Sequence, residues 1–117
     1  MQIDHVQLSG PPGCEDAMRT FWESIGFFEI PKPEPLISRG GCWLRSDRAE
    51  IHIGIEDPFA PARRAHPGFV VPNLDQIADM LVGQDCELLW DEAWPGRRRF
   101  YTTDPYGNRL EFLSERP

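Results

Sequence analysis

The chain has 117 residues, a formal net charge of −7 and 40% hydrophobic residues, including four Trp and seven Phe. That is enough apolar material for one packed domain or two small fused repeats, and the acidic balance argues against nucleic acid as a partner. No apolar run is long enough to cross a bilayer and no signal peptide precedes the first strand, so a soluble, cytoplasmic protein with no membrane partner is expected.

Ile3, His5 and Gln7 alternate with Asp4, Val6 and Leu8 in a first strand that ends at Ser9-Gly10 and is broken by Pro11-Pro12-Gly13. Ala17, Met18, Phe21, Trp22 and Ile25 then recur at helical spacing. The spacing predicts a helix of about three turns with Trp22 on its buried stripe and Gly26 as its C-cap. The stretch FFEI reads as a short strand closed by Pro31, Pro33 and Pro35. GGCWLRS and AEIHIGI read as two strands joined by a turn at Asp47-Arg48, and EDPFAPARRA as a loop.

The same order of events follows again. HPGFVV is a strand, and Asn73 is placed to cap a helix with Leu74, Ile77, Ala78, Leu81 and Val82 on its apolar stripe, closed by Gly83. CELLW is a strand, and RRRFYTT and RLEFL flank the turn Asp104-Pro105-Tyr106-Gly107-Asn108, in which Gly107 is expected at φ > 0. Both halves read βαβββ, an internal duplication of pattern. One domain over 1–117 is expected, with modules at about 1–56 and 65–117 and an α+β fold with one helix per module outside the sheet.

The spacing isolates four residues. His5 and His52 stand in the first and last strands of one module, 47 residues apart, and His66 and Glu111 in those of the other, 45 apart. His52 is flanked by Ile51 and Ile53 as Glu111 is by Leu110 and Phe112, so strand alternation turns each away from its apolar neighbours. These are all three histidines plus one carboxylate, the donor types that bind Zn, Ni, Co, Mn or Fe(II). A divalent metal ion is therefore the expected cofactor, held by His5, His52, His66 and Glu111. Trp43, Trp90, Trp94, Arg99 and Tyr101 are candidates for the wall of a small-molecule pocket, and each Trp can equally serve core packing. Cys14, Cys42 and Cys86 form no C-x-x-C pair and lie in no nucleophile motif, which argues for free thiols in a reducing compartment.

The βαβββ repeat, with DHVQL at its start and DPYGNRLEFL at its end, resembles the vicinal oxygen chelate superfamily of glyoxalase I, extradiol dioxygenases, fosfomycin-resistance thiol transferases and bleomycin-resistance proteins. The resemblance covers nearly the whole chain, and the closing D-P-x-G-N-x-[LI]-E-[FL] motif carries most of it. It implies two modules that together curve into a cup, with a homodimer as the usual assembly. His5 and His66 match the first-strand metal ligands, Glu111 the last-strand carboxylate and catalytic base, and His52 an additional last-strand ligand, where Glu or Gln is commoner. The implied activity is that of a glyoxalase-I-like metal-dependent lyase or isomerase acting on a small oxygen-chelating substrate. The alternatives are a dioxygenase, a thiol transferase, or a non-catalytic binding or sequestering protein of the bleomycin-resistance type. The chain is a single pair of modules, ends just past its last strand and carries no readable glutathione-binding set, so each enzyme reading has one feature against it.

Overall fold

The computed structural model describes residues 1–117, which form two units, Met1–Pro61 and Ala62–Pro117. The first unit runs β1 (Val6–Gly10), α1 (Glu15–Ser24), β2 (Phe28–Ile30), α2 (Glu34–Ile37), β3 (Cys42–Ser46) and β4 (Ala49–Ile55). The second runs β5 (Gly68–Val70), α3 (Leu74–Val82), β6 (Leu89–Trp90), β7 (Arg99–Thr103) and β8 (Arg109–Leu113). The fold is α+β and repeats the predicted βαβββ order, with one addition, the single-turn helix α2.

Each unit holds one four-stranded sheet, ordered β1-β4-β3-β2 and β5-β8-β7-β6. First and last strands pair in parallel, and all other pairs are antiparallel. A parallel neighbour cannot be reached by a tight turn, so everything between first and last strand serves as the crossover. Alternation then sorts the side chains. In the first unit Cys42, Leu44, Ile51 and Ile53 are at most 2% exposed and share their core with Met18, Phe21 and Trp22 of α1. Trp22 is completely buried and meets Phe21 and Phe27 edge-on, with ring centres 5.2 and 4.9 Å apart. In the second unit Leu81, Phe100, Leu110 and Phe112 are fully buried, and the Phe69, Phe112 and Phe100 rings stack in sequence.

The last hairpin depends on Asp104. Its Oδ1 accepts the backbone N–H of Tyr106 (2.9 Å) and Asn108 (3.0 Å), and its Oδ2 accepts the Asn108 side-chain amide at 2.7 Å. Burial pushes the Asp104 carboxyl above its ordinary range, and these hydrogen bonds pull the other way. Gly107 has φ 90°, a region that glycine enters without strain. Its N–H closes the turn on the Asp104 carbonyl at 3.1 Å.

Four expectations need correction. His5 and His66 precede β1 and β5 instead of lying within them, because the parallel ladders begin at Val6 and Gly68. The proline-rich segment after β2 is not only a breaker: Pro33 caps α2 and Pro35 lies in its first turn, where a missing N–H loses no helical bond. CELLW shortens to Leu89–Trp90. α1 ends on Ile25 as its C-cap, and Gly26 follows one position beyond at φ 100°. No helix is long and apolar enough to cross a membrane.

Two substitutions test this packing by chemical denaturation. Trp22→Ala empties the most enclosed position of the first unit and should destabilise by about 3–5 kcal/mol. Gly107→Ala places a Cβ at positive φ and should destabilise by about 1 kcal/mol.

Candidate functional site

In the first unit the polar face of the sheet is organised by β4. Alternation puts Glu50 and His52 opposite to Ile51 and Ile53. In register, His52 lies between Gln7 of β1 and Trp43 of β3. Its ring is 6% exposed and is stacked on both sides. Trp43 lies 3.7 Å away at an interplanar angle of 3°, and His5 lies 3.8 Å away at 15°. His52 Nε2 is 2.7 Å from Glu50 Oε2, and Glu50 Oε1 accepts two hydrogen bonds from Arg45, the shorter 2.6 Å. The Arg45 guanidinium first, and then His52, hold the Glu50 carboxyl below its ordinary range. His5 turns Nδ1 to Asp4 at 2.8 Å.

In the second unit β8 presents Glu111 on the face opposite Leu110 and Phe112. Its register partners are Gly68 of β5 and Tyr101 of β7. The side chain of Glu111 is 9% exposed, and both of its oxygens are engaged. Oε1 is 2.9 Å from His66 Nε2, and Oε2 accepts Arg99 Nη1 at 3.1 Å. His66 Nδ1 faces the Arg64 carbonyl at 2.8 Å. A carbonyl only accepts, so Nδ1 carries a proton. Arg99 also reaches Asp91 at 3.4 Å. Burial works against its charge, but the hydrogen bond to Glu111 and the nearby carboxylates of Asp91 and Glu111 hold the guanidinium above its ordinary value. Tyr101 lies edge-on to His66 at 5.4 Å and under Arg109 at 4.3 Å, and Arg99 stands 5.6 Å from Trp94.

The candidate residues therefore fall into two groups. His5, His52 and Trp43 come together in one unit, and His66, Glu111, Arg99, Tyr101 and Trp94 in the other. Glu111 faces a polar cluster instead of open water. Trp90 is 46% exposed on the edge strand β6. Within neither unit do three His, Cys, Asp or Glu side chains gather as a ligand set.

The donors fit a cation to different degrees. His66 spends Nδ1 on a carbonyl, as the outer nitrogen of a metal-ligating histidine does, and its Nε2 meets Glu111 Oε1 directly. His5 likewise spends Nδ1 on a partner, Asp4, whereas His52 gives its Nε2 to Glu50. Two partners escaped the sequence reading. Glu50 was legible, because it stands two residues before His52 on one strand face. Asp91, from the loop before β7, carried no local signal. Cys42 is not a nucleophile: burial pushes its thiol up to about 11.

No family model and no curated protein matches the chain. Solved structures do. A protein from Bacillus anthracis assigned to the glyoxalase family is 50% identical over 99% of this chain and 96% of its own, with a TM-score of 0.93. Lactoylglutathione lyase from Agrobacterium tumefaciens is 18% identical over 97% and 92%, TM-score 0.72. A bleomycin-binding protein, solved in complex with bleomycin, is 13% identical over 99% and 100%, TM-score 0.76. The last two are similar in fold alone.

The depressed Glu50 value sets a pH dependence. Its pairs with Arg45 and His52 contribute stability above the ordinary carboxylate range, and that contribution is lost as pH falls through the lowered folded-state value. Glu50→Gln should therefore lower the melting temperature at neutral pH and flatten its decline in acid, measured by thermal unfolding across pH.

Proposed function

Because this chain belongs to the glyoxalase family of the vicinal oxygen chelate superfamily, we propose that it is a metal-dependent lyase or isomerase of the glyoxalase I type, acting on a small molecule with two neighbouring oxygens. The observation that carries this reading is the His66–Glu111 pair, two donor types brought together at 2.9 Å with the other nitrogen of His66 already anchored on a carbonyl. Each unit offers its own donors, His66 and Glu111 in the second and His5, with His52 beside it, in the first. Zn, Ni, Co, Mn and Fe(II) all suit nitrogen and carboxylate donors.

When bound, such a cation supplies Lewis-acid stabilisation of an enolate or oxyanion. The remaining work falls to this chain's own side chains. Arg99 holds Glu111 Oε2 and fixes the plane of the carboxylate. Glu111, once its Oε1 is an unprotonated carboxylate oxygen released from His66, is the group placed to take a proton from a substrate carbon and return it to the neighbouring one. Tyr101 and Trp94 border the cluster, against His66 and Arg99 respectively. The three free thiols suit a reducing, cytoplasmic compartment. Exposed Phe28, Ile37, Val70 and Leu89 leave apolar surface for a second copy, so a homodimer is the proposed assembly.

One observation favours a second reading, a small-molecule binding protein without chemistry. The Asp91–Arg99–Glu111–His66 chain pairs its charges internally, with only Arg99 Nε left without a hydrogen bond, and a carboxylate already held by Arg99 and His66 needs no cation to balance it.

The test is metal analysis of protein purified without chelator, together with melting curves with and without Ni, Co, Zn and Mn. The wild type should gain stability from at least one of these ions. Glu111→Gln and His66→Ala should each abolish that gain, and binding should weaken in acid because a protonated imidazole has no lone pair to offer. A screen of hemithioacetals, catechols and fosfomycin should show turnover of one class, reduced about 10²–10⁴-fold in Glu111→Gln. No bound metal and no stabilisation by any ion would leave the binding-protein reading in place.

A further inference from the structure

Arg97 is a buried cation with no countercharge. It is 7% exposed, and its Nε donates to the Ser114 carbonyl at 2.9 Å. The arginines that form ion pairs with carboxylates are Arg19, Arg45, Arg98 and Arg99, and neither Arg97 nor Arg116 is among them. Yet three guanidinium groups surround one indole: from the Trp94 ring centre, Arg97 lies at 4.4 Å, Arg116 at 5.2 Å and Arg99 at 5.6 Å. Arg99 alone is neutralised, by Glu111 and Asp91. The face of a Trp ring attracts a cation, but it does not cancel a second and third like charge around it. A buried charge without a partner is unfavourable unless something of opposite sign completes it.

We propose that Trp94, Arg97 and Arg116 form an anion-binding site in the second unit, which takes a carboxylate or phosphate group of a small molecule. A guanidinium presents a planar fork of donors that matches the oxygens of either group. The indole provides an apolar floor for the rest of the ligand. The chain carries a net charge of −7 and repels polyanions at long range, so a single anionic group is the fitting occupant, not a nucleic acid. None of its three residues is a donor to the cation proposed above, although Trp94 borders that cluster through Arg99.

The experiment titrates inorganic phosphate and, separately, malonate into the full chain at constant ionic strength, with chloride as reference, and follows melting temperature and the indole and arginine side-chain NMR signals. A saturable rise in melting temperature is expected, together with movement of the Trp94 and Arg97 signals. The anion that saturates at the lower concentration identifies the group preferred. Arg97→Met keeps the stem and removes the charge, and should weaken binding at least about tenfold. Arg116→Ala, at an exposed position, should weaken it in the same direction, and it carries the test alone if Arg97→Met does not fold. The proposal is overturned if neither anion acts beyond chloride, or if both variants respond as the wild type does. It is overturned equally if the variants change the sedimentation coefficient while no anion binds, since the guanidinium groups would then face carboxylates of a second copy.

Discussion

A single helix can cover only one face of a four-stranded sheet, and each unit has one helix long enough to do so. This constraint organises the rest. Apolar residues collect where α1 or α3 can shield them, so Ile51, Ile53, Leu110 and Phe112 are buried in the cores. The alternate residues of the same strands must face the other way, and there the polar chemistry collects. Parallel pairing of first and last strands then brings Gln7 beside His52 and Gly68 beside Glu111. The strand that contributes most to the core thus also carries the candidate functional residue, one position along.

On those uncovered faces, charge is managed by chains of partners. Glu50 is held between Arg45 and His52, and Glu111 between Arg99 and His66. The two arrangements repeat a scheme, a carboxylate with an arginine on one oxygen and an imidazole on the other, although the histidine is on the last strand in the first unit and ahead of the first strand in the second. Low local dielectric strengthens such chains when every member is paired and penalises any member that is not. Arg97 breaks the scheme, since its one hydrogen-bond partner is a backbone carbonyl, and a ligand's anion would complete it.

Much of the fold was legible because long, strongly patterned elements report their own period. The strand Ala49–Ile55, the helix stripe from Leu74 to Val82 and the closing strand Arg109–Leu113 were read with the bounds the structure gives them. The D-P-Y-G-N turn was equally legible, because only glycine takes φ 90° freely at position 107. Elements of two to four residues were read poorly. β5 and β6 are too short to display alternation, and α2 starts among prolines that look like breakers from composition alone. Gly83 closes α3 as its spacing implies, and the left-handed residue after it is Asp85, whose short polar side chain tolerates that region.

By itself the sequence determined the duplicated module and the equivalence of His5 with His66 and of His52 with Glu111, because both are matters of order and spacing along one chain. Only the tertiary structure decided what each of these side chains touches. His52 is enclosed between an indole and a second imidazole and bonded to Glu50, whereas His66 is anchored to a carbonyl and aimed at Glu111. The partners Asp91 and Arg99 reach Glu111 from other segments of the second unit. Hydrogen-bond direction and ring stacking depend on which segments meet across a sheet, and residues far apart in sequence meet only once every strand has found its register.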